Sequence, residues 1–281
     1  MGATIHYDVG DSDYYGDRSR WSATLLKSAA VNGLASAKAI LDGVDKGSKA
    51  MREGWLAHLA VQFPDEFNRK CVVPPEDLKE GIKNADGSEP KYPERTKQYG
   101  LRVSEWEDAN PNVFRVTAKE RKDTLEYREA LHKSTCWRDQ DHQEAVVYFQ
   151  FEGMSYKCRI DGICNNPDGS VALYDWKFVS GTRDFHSKIF RYGYHMQGAL
   201  YTYAMQEAGF DVDGFYLVGV DKQTRDPAYT VCAPLSQDAI DLGLSECSKW
   251  HKRIEYSIAT DYWPACEAPE EWGIPKWYDR D

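Results

Sequence analysis

Three strand-like segments follow one another in the middle of the sequence, and they restrict the possible folds more than any other feature. Their residues are "AVVYFQF" (145–151), "SYKCRIDGIC" (155–164) and "VALYDWKFV" (171–179). A short connection joins the first two, and "NNPDGS" (165–170), a strong turn sequence, joins the second to the third. Runs of β-branched and aromatic residues between such turns are typical of neighbouring antiparallel strands. The sequence therefore predicts a sheet built around this region.

Segments before and after this region carry the periodicity or the capping residues of helices. Helices are predicted at 22–43, 48–63, 117–134, 190–208 and 236–256, and further strands at 214–220 and 228–235. The third helix has the clearest start, because Thr117 and Glu120 form a capping box. The order of the elements predicts an α/β (α+β) protein with a mixed central β-sheet flanked by helices.

The length of the chain, 281 residues with 42% hydrophobic content, is enough for one large core. We expect a single domain over 1–281, with a helical N-terminal part at about 20–135 and an α/β core at about 140–258. An aromatic, Pro-rich C-terminal arm is expected at 259–281, packed on its own domain. The polar stretch 74–112, rich in Pro and Gly, predicts a long surface excursion.

The overall charge of the chain is acidic, with a formal net charge of -10 and an isoelectric point of about 5.3. Such a chain has no overall basic field, so a polyanionic partner requires a local basic groove. No apolar run reaches the roughly 20 residues of a membrane span, and the N-terminus lacks the apolar segment of a signal peptide. We therefore expect a cytoplasmic protein with no membrane partner. Its seven widely spaced cysteines are expected to be reduced.

The third strand segment carries an acid and a lysine two residues apart, Asp175 and Lys177, which share one face of the strand while Trp176 points to the other. The turn at 165–170 folds the chain back and brings Asp161 towards them, and Glu144 precedes the first strand segment. Converging carboxylates repel one another unless a hard cation such as Mg²⁺ or Mn²⁺ neutralises them. A lysine beside that cation can stabilise negative charge or help to deprotonate a bound water. Taken alone, the acid–lysine spacing is a weak signal and is far more often a surface ion pair.

The segment that follows adds two polar residues at helical spacing. Gln197 and Tyr201 lie on one face of the predicted helix, where a buried amide and a core tyrosine are the simpler interpretation. The connection between this helix and the strand is basic and aromatic in an otherwise acidic chain. Basic and aromatic side chains together can hold phosphates and stack bases, although a solvated loop has the same composition. The candidate nucleic-acid contacts are Arg183, Lys188, Arg191, Tyr192 and Tyr194.

These motifs together resemble a known group of enzymes. The matching pieces are "MREGWLAHLAVQFPDEF", "EAVVYFQFEGMSYKCRIDGI", "YDWKF" and "RYGYHMQGALYTYAM", in that order along the chain. They are similar to the histidine helix, the acidic strand with its R-x-D turn, the D-x-K strand and the Tyr-His-x-Gln helix of the PD-(D/E)xK nuclease superfamily. Within it, the chain resembles the RecE (exonuclease VIII-like) exonucleases of phages and prophages, over residues 22–275. It departs from them at Trp176, where a smaller residue is usual, and we expect altered packing rather than lost activity.

The resemblance implies a restriction-endonuclease-like core and a metal-dependent exonuclease that digests one strand of linear duplex DNA from its 5′ end. It implies one or two Mg²⁺ (or Mn²⁺) ions, one held by Asp161, Asp175 and the main-chain carbonyl of Trp176, with Glu144 and His58 as candidates for a second. Lys177 would then position the nucleophile and offset charge in the transition state.

The resemblance gives roles to the remaining site residues and to partners as well. Gln197 and Tyr201 would fix Lys177 or the DNA backbone. Relatives act with a single-strand annealing protein in phage recombination and repair, and some form rings around DNA. A ring with a basic lumen would reconcile the acidic charge of the chain with DNA binding.

Two other functions stay open from the sequence. The first is an endonuclease or helicase-associated nuclease module with the same metal site; because the chain has no GxxxxGK[ST] motif, the helicase would be a separate protein. The second is a non-catalytic DNA-binding protein of the same fold, which is disfavoured because all the expected acids and the lysine are present. A DNA clamp at 74–112, and a base-stacking wedge or subunit contact in the C-terminal arm, are further alternatives.

Overall fold

The computed structural model describes residues 2–44 and 47–265, and it confirms the predicted class, a mixed sheet flanked by helices. Seven of the described strands form the central sheet, and β3 and β4 form a separate parallel pair. The strands are β1 (Thr4–His6), β2 (Trp21–Ser22), β3 (Cys71–Val72), β4 (Phe114–Arg115), β5 (His142–Phe151), β6 (Met154–Asn165), β7 (Val171–Val179), β8 (Val212–Asp221) and β9 (Val231–Pro234).

Helices occupy most of the remaining described chain, and two single 3₁₀ turns lie between α5 and α6. The helices are α1 (Asp11–Gly16), α2 (Ala23–Asn32), α3 (Leu34–Leu41), α4 (Lys49–Gln62), α5 (Pro64–Lys70), α6 (Lys97–Ala109), α7 (Ala118–Lys133), α8 (Phe185–Arg191), α9 (Tyr194–Glu207) and α10 (Gln237–Thr260). The capping box predicted for the third helix is present at the start of α7. Helix α4 matches the helix predicted at 48–63 to within one residue at each end.

The three strands predicted in the middle of the sequence form the centre of the sheet, whose order is β1-β5-β6-β7-β8-β9. Strands β5, β6 and β7 are antiparallel neighbours, as predicted. The hairpin between β5 and β6 turns at Glu152 and Gly153, whose φ angles of 50° and 84° are those that two-residue hairpin turns need. Strand β8 is parallel to β7, and the connection through α8 and α9 places these helices on one face of the sheet.

The two faces of β7 belong to different cores. Leu173 packs in the larger core, between the sheet and helices α2, α3, α9 and α10. Tyr174 and Trp176 point to the other face and pack against α4 and α7, where the indole of Trp176 is 1% exposed and stacks on Trp137 at 5.9 Å. Because side chains alternate along a strand, Asp175 faces the same way as Leu173. The prediction that Trp176 points away from the acid and the lysine is confirmed.

Three predictions of local structure were incomplete. The helix predicted at 22–43 is divided at Gly33, whose φ of 88° a residue with a side chain rarely adopts. The stripe predicted at 190–208 is likewise divided between α8 and α9. The stretch 74–112 contains α6, in which Val103 is the one buried residue. A helix that buries so little has no apolar periodicity to reveal it.

The N-terminal residues form elements that the sequence did not predict. Strand β1 pairs antiparallel with β5, and β2 pairs parallel with β6. Between them, α1 lies over β6, where the Lys157 ammonium donates hydrogen bonds to the carbonyl oxygens of Tyr14 and Asp17. This segment therefore covers the part of β6 that β7 does not pair with.

Only the beginning of the predicted C-terminal arm belongs to the described part of the chain. Trp263 packs against the larger core, and the Lys38 ammonium lies 5.6 Å from the centre of its ring. The rest of the arm, from residue 266 onwards, lies outside the described residues. No helix in residues 2–44 and 47–265 combines the length and the apolar content needed to cross a membrane.

Candidate active site

The site begins where β6 and β7 separate. The two strands pair from the turn as far as Gly162 and Tyr174, and the next residue on each strand is an acid, Asp161 on β6 and Asp175 on β7. The backbone N–H of Trp176 donates a hydrogen bond of 3.0 Å to the Asp161 Oδ2, which bridges the opening. Two carboxylates therefore lie side by side at a point where the sheet is open, as their positions in the sequence predicted.

Glu144 reaches the same place from β5 through an unusual backbone conformation. It lies between the pairs Gln143–Gly162 and Ala145–Ile160, opposite Asp161. Its φ is 52°, in the left-handed region, which costs roughly 1–2 kcal/mol for a residue with a side chain. Strain of this kind is concentrated at functional sites. The Glu144 carboxylate accepts a hydrogen bond of 2.8 Å from the Arg159 guanidinium.

Helix α4 contributes His58 to the opposite side of the acids. Its imidazole Nδ1 lies 3.4 Å from Asp161 Oδ2. The Gln62 amide, one turn further along α4, donates a hydrogen bond of 3.0 Å to the Asp161 carbonyl oxygen and ties the helix to β6. One ligand atom each from His58, Glu144 and Asp161 lie within 4.8 Å of one another, close enough for a single cation to bind all three.

Asp175 is held by two partners and does not belong to that group of three. Its Oδ1 accepts a hydrogen bond of 2.6 Å from the Gln197 amide nitrogen, and its Oδ2 lies 2.5 Å from the Lys177 ammonium. The side chain is 1% exposed, and Oδ2 makes no hydrogen bond of good geometry within the described chain. A buried carboxylate oxygen in this state is suited to accept a further positive charge.

A second lysine, which the sequence did not single out, completes the group around Gln197. The Lys27 ammonium, from α2, donates a hydrogen bond of 2.6 Å to the Gln197 Oε1, and Lys177 lies 3.4 Å from the same oxygen. Two lysine nitrogens beside Oε1 orient the amide so that its NH₂ group faces Asp175. The Tyr194 ring lies 4.9 Å from the Lys177 ammonium and 5.6 Å from that of Lys27. The sequence feature that could have indicated this role is the single lysine within the largely apolar helix "ATLLKSAAVN".

The electrostatics of the site favour a bound cation. Burial, reinforced by Asp175 and Glu144, raises the pKa of the Asp161 carboxyl well above its ordinary value. A divalent cation reverses that shift, because it favours the ionised form of every carboxylate around it. Burial and the neighbouring Lys177 lower the pKa of His58, which keeps its imidazole neutral and able to bind a metal. The donor set, with its crowded carboxylates, therefore fits a divalent cation such as Mg²⁺ or Mn²⁺.

The two lysines of the site differ in charge state. Burial lowers the pKa of Lys27 to about 7, an effect to which Lys177 adds. Burial alone would lower the pKa of Lys177 as well, but the adjacent Asp175 and Asp161 outweigh it and raise that pKa above its ordinary value. Lys177 is therefore a permanent positive charge at neutral pH, and it forms an ion pair with Asp175.

Of the remaining predicted residues, Tyr201 lines the site and the others lie outside it. Tyr201 lines the site cavity with 8% of its surface exposed and packs edge-on against Phe215. Arg183, Arg191 and Tyr192 are exposed to solvent. Lys188, in contrast, is buried.

The ammonium of Lys188 bonds to the protein itself. It donates hydrogen bonds to the carbonyl oxygens of Ser180 and Gly181, at 2.8 and 2.7 Å, and pairs with Asp184. These contacts hold the loop before α8, and they occupy the donors that a DNA phosphate would need.

The site opens into a cavity of about 770 Å³. One wall is α4, with Trp55 and His58, and another is the N-terminal segment from Tyr7 to Tyr15. Arg159 joins this segment to the site, because its Nη1 donates to both Asp11, at 2.6 Å, and Glu144. The role of the N-terminal segment was missed because nothing local in "YDVGDSDYY" predicts that it meets a strand far along the chain.

The fold of this chain is similar to that of a protein from Eubacterium rectale named "Putative exonuclease", known from a crystal structure. The two share 16% sequence identity with a TM-score of 0.62, covering 94% of this chain and 92% of that one. The structure of SSO0001 (TM-score 0.30, 13% identity, 72% of this chain and 86% of that one) is much less similar. The structure of VC1899 from Vibrio cholerae is also much less similar (TM-score 0.20, 12% identity, 90% of this chain and 60% of that one). No family model and no curated protein matches the sequence. The chain therefore has the fold of the Eubacterium rectale protein, a mixed sheet flanked by helices.

Proposed function

We propose that this protein is a nuclease that hydrolyses phosphodiester bonds of DNA with the help of a divalent cation. The observation that carries the proposal is the placement of His58, Glu144 and Asp161, whose ligand atoms lie within 4.8 Å of one another at the opening between β6 and β7. The charged pair of Asp175 and Lys177 lies beside them. The name of the Eubacterium rectale protein, whose fold is similar, supports the same class of activity.

We assign the cation, Mg²⁺ or Mn²⁺, to Asp161, Glu144 and His58, with Asp175 and the main-chain carbonyl of Trp176 as further ligands. When bound, such a cation supplies an activated water and stabilises negative charge on a phosphate. Its affinity depends on carboxylates that are aimed at one point, and the hydrogen bonds from the Trp176 N–H to Asp161 and from the Gln197 amide to Asp175 hold two of them in place.

The residues of the chain supply charge and position for the reaction. The Lys177 ammonium, fixed by Asp175, lies where it can offset the charge that develops on the phosphate in the transition state. Gln197 holds Asp175 in place, and Lys27 holds Gln197. Tyr201 lines the cavity and limits the space around the phosphate. Because the ion pair keeps Lys177 protonated, we assign it to charge stabilisation rather than to proton abstraction.

The finer features of the proposal rest on the resemblance to RecE-like exonucleases. They are exonuclease action from the 5′ end of linear duplex DNA, a role in phage-type recombination or repair beside a single-strand annealing protein, and cytoplasmic location. We propose one nuclease domain over the whole chain and assembly into a ring. The exposed Arg183, Arg191 and Tyr192 would face DNA in the ring, which would separate the DNA from the acidic remainder of the surface.

Digestion of linear duplex DNA, labelled separately at each 5′ and 3′ end, tests the proposal with Mg²⁺ and with EDTA. We expect release of the 5′ label first, no digestion in EDTA, and no attack on covalently closed circular DNA. Cleavage of the circle would replace the exonuclease by an endonuclease, and absence of any metal-dependent cleavage would remove the nuclease altogether. Light scattering that shows a monomer at working concentration would remove the ring.

A further inference from the structure

The N-terminal wall of the cavity, residues 7–15, is firmly attached to the sheet that carries the site. Strand β1, which precedes it, pairs with β5 from Thr4 to His6. Lys157 binds the carbonyl oxygen of Tyr14, and Arg159 binds the carboxylate of Asp11 at 2.6 Å. A segment held at three points by the sheet presents its side chains to the cavity in a defined position.

Two exposed aromatic residues of this wall line the cavity, Tyr7 and Tyr15, and Tyr15 is the more exposed of the two. Its ring is 61% exposed and lines the cavity, whereas the neighbouring Tyr14 is 8% exposed. The Arg159 guanidinium lies 4.3 Å from the centre of the Tyr14 ring and 4.9 Å from that of Tyr15. The two rings meet edge to face at 5.3 Å. The Tyr15 ring is therefore supported by a cation and by a buried ring, and it still offers surface to a ligand.

Arg159 also connects Tyr15 to the candidate metal site. The nitrogen that binds Asp11 donates a second hydrogen bond, of 2.8 Å, to the Glu144 carboxylate. One side chain thus separates the Tyr15 ring from a residue assigned to the cation. Tyr15 and Glu144 line the same cavity, so a nucleotide bound at the site would lie within reach of the ring.

Charge determines which part of a nucleotide faces this wall. Asp11 is paired with Arg159, and the exposed Asp8 and Asp13 leave the segment with an excess of negative charge that disfavours a phosphate. The lysine charge that attracts a phosphate lies elsewhere in the cavity, on Lys177 beside Gln197. An uncharged base is therefore the part of the nucleotide that the N-terminal wall accepts.

The size of the cavity limits how much of the DNA can enter it. A cavity of about 770 Å³ takes a molecule of a few rings, which corresponds to one strand rather than a duplex.

We propose that Tyr15 is a base-stacking platform, whose ring binds the nucleobase of the terminal nucleotide of the strand being digested. This inference rests on the proposed nuclease function and names the part of the substrate that the N-terminal wall recognises. Stacking tolerates any base, because every base has a π-face, so Tyr15 contributes affinity for a strand end without sequence preference.

Binding of duplex oligonucleotides, followed by fluorescence anisotropy, tests the platform. The Lys177→Ala background with Mg²⁺ keeps the DNA intact. We expect Tyr15→Ala to weaken binding roughly ten-fold and Tyr15→Phe to bind within about two-fold of the parent, because the ring alone stacks. Tyr256→Ala is the matched control, since Tyr256 is 64% exposed on α10 and does not line the cavity. It should bind like the parent.

An oligonucleotide that lacks its terminal base separates stacking from other contacts. With an abasic terminus at the end where wild-type digestion begins, the parent and Tyr15→Ala should bind equally. The inference is overturned if Tyr15→Ala binds intact ends like Tyr256→Ala, if the loss persists on abasic ends, or if Tyr15→Phe loses as much as Tyr15→Ala. Failure of the wild-type protein to digest DNA with Mg²⁺ is a different result, which overturns the proposed function itself.

Discussion

Two lysines, Lys177 in β7 and Lys188 in α8, are buried to a similar degree and have different surroundings. Their side chains are 16% and 11% exposed. Lys188 bonds to two carbonyl oxygens and a carboxylate, so each proton of its ammonium has a partner. Lys177 has one close partner, Asp175, and a longer contact to Gln197, and it lines the cavity. Burial alone therefore does not mark a functional lysine; bonding capacity left open towards a cavity does.

The largest effect is expected on DNA cleavage, which should depend on Lys177 and not on Lys188. We expect Lys177→Ala to lower DNA cleavage by a factor on the order of 10³ or more, because a charge that stabilises the transition state is lost. The variant should still fold, which circular dichroism checks. Asp175→Ala should likewise fold and fail to cleave. Near-normal turnover by either variant contradicts the assigned site.

The converse substitution, Lys188→Met, should affect stability and leave the chemistry intact. The carbonyl oxygens of Ser180, which is exposed, and of Gly181, which is half-buried, lose their donor, which costs roughly 1 kcal/mol of unfolding free energy. Urea unfolding measures this loss, and cleavage below the unfolding transition should be unchanged. Exposed Arg183→Ala is the control, with a stability change within about 0.5 kcal/mol. A variant that keeps its stability but loses cleavage would instead indicate that Lys188 contacts DNA, as the sequence predicted.

Lys27→Met is expected to have a smaller effect on activity. Without its 2.6 Å hydrogen bond to Lys27, the Gln197 amide can rotate and stop donating to Asp175, and we expect kcat to fall roughly ten-fold. Binding of DNA should change less than kcat, which distinguishes positioning from direct contact. Lys38→Met, on the exposed surface of α3, is the matched control. Equal activity of the two variants would show that Lys177 orients Gln197 without help.

The smallest expected effect is a dependence of stability on pH. Asp161, whose pKa is raised mainly by burial, stabilises the folded state when protonated, and this contribution is lost as the pH rises through the raised pKa. In EDTA the melting temperature should therefore decrease from about pH 4 upwards, the ordinary range of a carboxyl group. Mn²⁺ should reduce the decrease, because it binds the ionised form.

Asp161→Asn serves as the control for this experiment, since an amide does not titrate. It should remove both the decrease with pH and most of the effect of Mn²⁺. A wild-type melting curve that shows the same pH dependence with EDTA and with Mn²⁺ would argue against cation binding at Asp161.

The class of fold and much of the candidate site were predictable because they depend on neighbouring residues. The strand predicted at 171–179 has the same bounds in the structure. The alternation of a strand placed Asp175 and Lys177 on one face and Trp176 on the other, and the turn at 165–170 brought Asp161 to them. Helix α6 and the N-terminal elements were missed because they bury few residues or depend on distant partners.

Sequence by itself determined the order of strands β5 to β7 and the kinds of group, acid and lysine, that the central strands carry, since both follow from periodicity over a few residues. Tertiary structure alone decided that β6 and β7 separate at Asp161, that Glu144 turns into the opening, and that Lys27 reaches Gln197. The physical reason is that these features stabilise one another through hydrogen bonds and ion pairs between residues far apart in the chain. Local preference does not encode such contacts, which form only when the packed sheet brings their partners together.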